Sequence, residues 1–174
     1  MSYLVSVRKE FLRYKSLGDK ALAQVPDEAL HWQYNEESNS IATTVKHISG
    51  NMLSRWTNFL TEDGEKEWRQ RDQEFEEDKT TRAEVLARWE EGWACLFAAL
   101  DALKEEDLSR TVYIRAEAHT VMEAINRQLA HYPYHVGQIV YLARMQAGGK
   151  WTSLSIAKNR SEEFNKDKFG NAST

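Results

Sequence analysis

Apolar residues return every third or fourth position in four stretches of this 174-residue chain. That spacing puts side chains on one face of an α-helix. The first stretch, about residues 2 to 24, carries Leu4, Val7, Phe11, Tyr14 and Leu17, followed by Leu22 and Val25. Pro26 and Asp27 then open a turn-like run, PDEALHWQYNEES. The second stretch starts at the caps offered by Ser38 to Ser40 and carries Ile41, Val45, Ile48, Met52, Trp56 and Phe59. It is expected to end by Glu62-Asp63-Gly64.

Residues 63 to 79, DGEKEWRQRDQEFEEDK, form a charged connector that Trp68 and Phe75 are expected to tack to the body. Thr80 or Thr81 caps the third stretch, and Glu84 completes a capping box if the cap is Thr81. Its stripe is Val85, Trp89, Trp93, Leu96, Leu100 and Leu103. SRTVYIRAEAHT alternates weakly and reads as extended chain or loop. The fourth stretch runs from about Thr120 to Ala147 and stops at Gly148-Gly149. An apolar anchor follows in the tail. The pattern predicts an all-α protein, a four-helix bundle with a long connection between helices 2 and 3. Residues 1 to 174 read as a single domain whose polar tail frays from about residue 160.

Composition narrows the function. The net charge of −4 and pI near 5.8 come without any run of basic residues, so no nucleic-acid footprint is expected. No apolar stretch is long enough to span a membrane, and the charged N-terminal pattern is not a signal peptide, so a cytoplasmic protein is expected. One cysteine excludes an internal disulfide framework. Cys95 lies off the main stripe of its segment and reads as a packing residue rather than a nucleophile.

The candidate chemistry lies in HYPYHVGQ, residues 131 to 138. His131 and His135 are one helical turn apart, the arrangement by which one helix offers two nitrogen ligands to a metal. The alternative reading is two histidines that simply face solvent. On a helical wheel their face includes Gln138, Ala124, Arg127 and Gln128 and flanks the apolar face, as a pocket wall does. His47, Asn51, Arg55 and Asn58 make a similar polar stripe on the second segment. If the two stripes converge, His47 completes a three-histidine site with coordination positions left open. Pro133 between the histidines removes one helical hydrogen bond; it either tunes the angle between them or is a tolerated kink. His31 and His119 fit the site less well.

TVKHISGNMLSRW, HYPYHVGQIVYLARM and the tail WTSLSIAKNRSEEFN resemble the DinB/YfiT-like superfamily of bacterial metal-binding bundles, in a branch without assigned activities. The resemblance covers nearly the whole chain. It implies a four-helix bundle, often a homodimer, with a divalent metal, zinc or nickel typically, on His47, His131 and His135. Characterised relatives act with low-molecular-weight thiols such as bacillithiol or mycothiol, and others are regarded as metal-dependent hydrolases. The proline between the histidines departs from the commonest motif.

Three readings follow. A metal-held thiolate attacks an electrophilic small-molecule substrate in S-transfer, with Asn51, Arg55, Arg127 and Gln138 behind the ligands or on the substrate. Alternatively, a metal-bound water hydrolyses a substrate. That reading needs a general acid or base, for which no carboxylate aligns with the histidines, although the connector's glutamates can supply one on folding. The third reading is a non-catalytic, dimerising bundle.

Overall fold

A computed structural model describes residues 2 to 170. The helices are α1 (Tyr3–Leu22), α2 (Ile41–Trp56), α3 (Arg82–Asp101), α4 (Val121–Ala147) and α5 (Ser161–Gly170), with a two-stranded hairpin, β1 (Thr111–Ile114) and β2 (Glu117–Thr120), before α4. The fold is all-α and bundle-like. α2 packs most extensively on α3, and α1 on α4; α2 also meets α4, and α1 meets α3.

Polar caps fix where the helices begin. Ser40 Oγ accepts from the Thr43 N–H at the start of α2. Thr81–Glu84 and Thr120–Glu123 form full capping boxes at α3 and α4. The core is aromatic: the Trp93 ring lies 6.4 Å from Phe11, 6.0 Å from Tyr132 and 5.4 Å from Trp89 between centroids. α2 and α3 approach closely at Gly92, where an added Cβ would stand 2.9 Å from the Ser49 Cα.

Two expectations need correction. α2 stops at Trp56, short of the Phe59 end of its expected stripe, because Thr57 turns to extended backbone (ψ 120°) and Asn58 follows in a left-handed one (φ 49°). Trp68 does not tack the connector down; it is 57 % exposed. The tail, expected to fray from about residue 160, includes α5, which buries no residue. Residues 171 to 174, on which fraying was also expected, lie outside the described residues.

The run SRTVYIRAEAHT resolves into the hairpin, with Thr111 opposite Thr120 and Ile114 opposite Glu117. Its two-residue turn is Arg115-Ala116, both left-handed at φ 56° and 61°. Hairpin turns usually place Asn or Gly there, since a Cβ costs roughly 1–2 kcal/mol in that conformation. Asp63 offsets the cost: its carboxylate accepts from both backbone N–H groups, Arg115 at 2.8 Å and Ala116 at 2.7 Å. The start of the connector is thereby stitched to the hairpin, and the Gly64 N–H adds a 2.8 Å bond to the Tyr113 carbonyl. α4 continues as one helix through Pro133. Among the described residues no helix is long and apolar enough to cross a membrane.

Candidate metal centre

The α2–α4 contact brings His47 of α2 against His131 and His135 of α4. The ring centroids are 5.6 Å apart for His47–His131, 4.9 Å for His47–His135 and 4.7 Å for His131–His135. His47 and His135 are buried and His131 is half-buried. One nitrogen from each ring lies within 4.8 Å of the others. Nitrogens sharing a tetrahedral ion at 2.0–2.1 Å stand roughly 3.3 Å apart, so closing the set asks for a shift of about 1.5 Å at most.

The hydrogen bonds behind the rings decide which nitrogen is free. His47 Nδ1 lies 2.9 Å from Glu74 Oε2, His131 Nδ1 3.3 Å from Gln128 Oε1, and His135 Nδ1 2.7 Å from Gln138 Oε1. The Gln138 amide is oriented by its own donation to the Tyr134 hydroxyl at 3.2 Å. The Glu74 carboxylate can only accept, and with the Gln128 and Gln138 oxygens assigned as acceptors too, each Nδ1 carries the proton and each Nε2 keeps a lone pair. His131 Nε2 and His135 Nε2 then face one another at 3.0 Å. Two lone pairs at that distance repel unless a proton or a cation lies between them. The donor set therefore fits a divalent ion, and imidazole nitrogen suits zinc, nickel, iron and copper alike.

Burial and neighbouring charges favour the neutral form of the two α4 rings. Burial, then the neighbouring His135 and His47, then Arg55 and Arg69, push the His131 pKa down to about 3. Burial and His47 also lower His135, against a raising hydrogen bond to Gln138.

Glu74 comes from the connector's short helical turn, Asp72–Phe75. Besides His47 it takes both Nε (2.8 Å) and Nη2 (2.9 Å) of Arg69, a paired fork. Burial pushes its carboxyl up, but the hydrogen bonds from His47 and Arg69 and the guanidinium charge outweigh this and hold it below the ordinary carboxylate range. Gly50 makes room for it; a Cβ there would stand 2.4 Å from Glu74 Oε1. Phe75, one residue on, packs its ring 4.6 Å from His47.

Beside the histidines lies a cavity of about 260 Å³, lined by His47, Asn51, Arg55, Arg69, Arg71, Arg115, Arg127, Gln128 and His131. Of the four polar residues singled out from the sequence, Asn51, Arg55 and Arg127 line it, and Gln138 instead holds His135. Asn51 is fixed by a relay in which the Trp56 indole donates to the Tyr132 hydroxyl (3.0 Å) and that hydroxyl donates to Asn51 Oδ1 (3.1 Å). Arg55 is buried; it donates to the Gly64 carbonyl and to Glu65 at 3.1 Å, and its Nε has no partner.

Sequence reasoning did not single out Glu74, Arg69, Gln128, Arg71 or Arg115. Gln128 shares the histidine face of the wheel, which was a usable signal; the other four sit in charged or weakly patterned runs that carry none. His31 bonds the Thr80 carbonyl (2.7 Å) and His119 lies on β2 near Glu117 (3.5 Å); neither belongs to the cluster. Cys95 is half-buried 3.7 Å from the Thr57 hydroxyl, and burial pushes its thiol up, the wrong direction for a nucleophile.

A family model described as "Protein of unknown function (DUF1572)" matches residues 1–160. No curated protein and no solved structure matches the chain.

Proposed function

The chain belongs to the family described as protein of unknown function DUF1572, and from its histidine cluster we propose a metal-dependent enzyme of the DinB/YfiT-like kind that transfers a low-molecular-weight thiol to an electrophilic small molecule. One observation carries the reading: three buried or half-buried imidazoles each set Nδ1 against an oxygen, one nitrogen from each ring lies within 4.8 Å of the others, and the cluster borders an open cavity.

His47, His131 and His135 would hold the ion, with zinc or nickel the first candidates. When bound, a divalent cation keeps a coordinated sulfur as thiolate near neutral pH. The protein's own residues do the rest. Glu74, Gln128 and Gln138 fix tautomer and ring orientation. Asn51, locked by Tyr132, presents its amide to the cavity wall as a fixed polar contact. Phe75 covers one side of His47 and limits water there. In the transfer the sulfur bonds to the electrophilic carbon, the leaving group departs with its bonding pair, and the thiol proton passes to solvent.

Thiol transfer is favoured over hydrolysis by the state of the nearest carboxylate. Glu74 is committed to His47 and to both Nε and Nη2 of Arg69, and among the described residues no carboxylate lines the cavity, which leaves a hydrolase without a base there. The test is substrate consumption by zinc- or nickel-loaded protein with an electrophilic small molecule, with and without bacillithiol. Turnover that requires the thiol supports the proposal. Equal turnover without it points to hydrolysis instead, and no turnover under any combination counts against catalysis by this site.

A further inference from the structure

Among the described residues, five arginines line the cavity beside the histidines, Arg55, Arg69, Arg71, Arg115 and Arg127, and no carboxylate does. Their carboxylate partners lie behind the wall and are too few. Arg69 is taken up by Glu74 and, at 3.4 Å, by Glu65. The same Glu65 also serves Arg55 (3.1 Å) and Arg115 (3.2 Å). Arg71 lies 3.8 Å from the fully exposed Asp72 and stacks over Phe75. Arg127 has no ion pair among the described residues. Five cations therefore face three carboxylates, one of them loosely held.

A second observation is independent of that count. Arg55 is 7 % exposed, lines the cavity, and leaves its buried Nε–H without a partner. A buried donor on a charged group is costly to leave unpaired. The third observation is structural: Arg115 reaches the cavity from a hairpin turn whose two left-handed, non-glycine residues are held by Asp63. Such turns persist where the surroundings over-determine them, and here the result is a cation placed at the rim.

We propose that this cavity binds the anionic part of the substrate, a group carrying two or more negative charges, either a phosphoryl group or a dicarboxylate, clamped by Arg55, Arg115 and Arg127 with the reactive end of the molecule toward the histidines. Guanidinium forks match the oxygen spacing of both groups. Arg69 is the positioning residue of the set: it holds Glu74 and, through it, His47. The inference deepens the reading of the site given above and rests on it for the substrate's orientation, but anion binding itself needs no metal.

The experiment is calorimetric titration of the full, metal-free chain with inorganic phosphate, with malonate and with chloride at matched ionic strength, repeated on Arg115→Ala and Arg127→Ala. Saturable binding of phosphate or malonate, with chloride silent, is expected. Each substitution should weaken it about tenfold, since a hydrogen bond to a charged group is lost, with the circular dichroism unchanged. Preference for phosphate assigns a phosphoryl ligand and preference for malonate a dicarboxylate; either supports the proposal. No binding, binding equal to chloride, or binding untouched by both substitutions overturns it. Because metal is absent throughout, that result is separate from a failure of the three histidines to bind an ion, which the metal content of His47→Ala reports.

Discussion

Replacing Glu74 by Gln separates what the connector does for the metal from what it does for the fold. The amide keeps the size of the side chain and one oxygen able to accept from His47 Nδ1–H, now 2.9 Å from the carboxylate. It loses the negative charge facing that ring and cannot receive both arms of Arg69, whose side chain is only 2 % exposed. Removing a hydrogen-bond partner behind a metal-binding histidine typically costs 10–100-fold in affinity. Since one acceptor oxygen survives, the lower end applies: about tenfold, or about 1.4 kcal/mol. Breaking a buried ion pair from one side costs roughly 3–5 kcal/mol. Arg69 keeps Glu65 at 3.4 Å, so about 2–3 kcal/mol of metal-free stability is expected to go. Competition with a chromophoric chelator near neutral pH reads the first quantity, and urea unfolding of metal-free protein reads the second. Zinc affinity within twofold of the wild type, in a protein that has lost stability as expected, would refute the claim that Glu74 orients His47.

Two further outcomes follow from the packing and the hairpin. Gly92→Ala forces a Cβ to 2.9 Å from the Ser49 backbone; overpacking of roughly 1–3 kcal/mol, less about 1 kcal/mol of gained helix propensity, should leave it about 1 kcal/mol less stable in urea, and a stabilised variant would contradict the close α2–α3 approach. Burial raises the Asp63 carboxyl, but bonds from the Glu65, Ala116 and Arg115 N–H groups overcome this and hold it below its ordinary value. A depressed folded pKa gives stability that is present above the unfolded value near 4 and lost as pH falls through the folded one. Amide-exchange protection at Arg115 and Ala116, corrected for intrinsic rates, should therefore fade on acidification and be weak at every pH in Asp63→Asn; protection that persists in that variant would remove Asp63 from the account.

Much of the fold was legible because its signals are local. The stripe of α3, its Thr81–Glu84 capping box and the Gly148 stop of α4 are all written within a few residues of where they act. So is the His131–His135 spacing. That His47 meets them depends on which faces of α2 and α4 turn together, which periodicity alone leaves open; the motif resemblance supplied it. The connector defeated the reading for a different reason. DGEKEWRQRDQEFEEDK looks solvated because its residues are charged, yet Arg69 and Glu74 are buried together, each cancelling the other's charge. Hydropathy sees each residue separately and cannot see a pair. In the same run Trp68, the natural anchor by composition, points to solvent, while Phe75 packs on His47. The hairpin was obscured by strands of four residues and by a turn, Arg115-Ala116, without the glycine or asparagine that announces one. Its stabiliser, Asp63, lies more than fifty residues away.

The central claim is that three imidazoles share one cation. Elemental analysis of untagged, chelator-free protein tests it most directly, run on the wild type and on His47→Ala with circular dichroism confirming that both are folded. The account predicts one divalent ion per wild-type chain and at least a tenfold loss in the variant. A wild type that takes up neither zinc nor nickel on titration, or a variant that retains the ion, would contradict it.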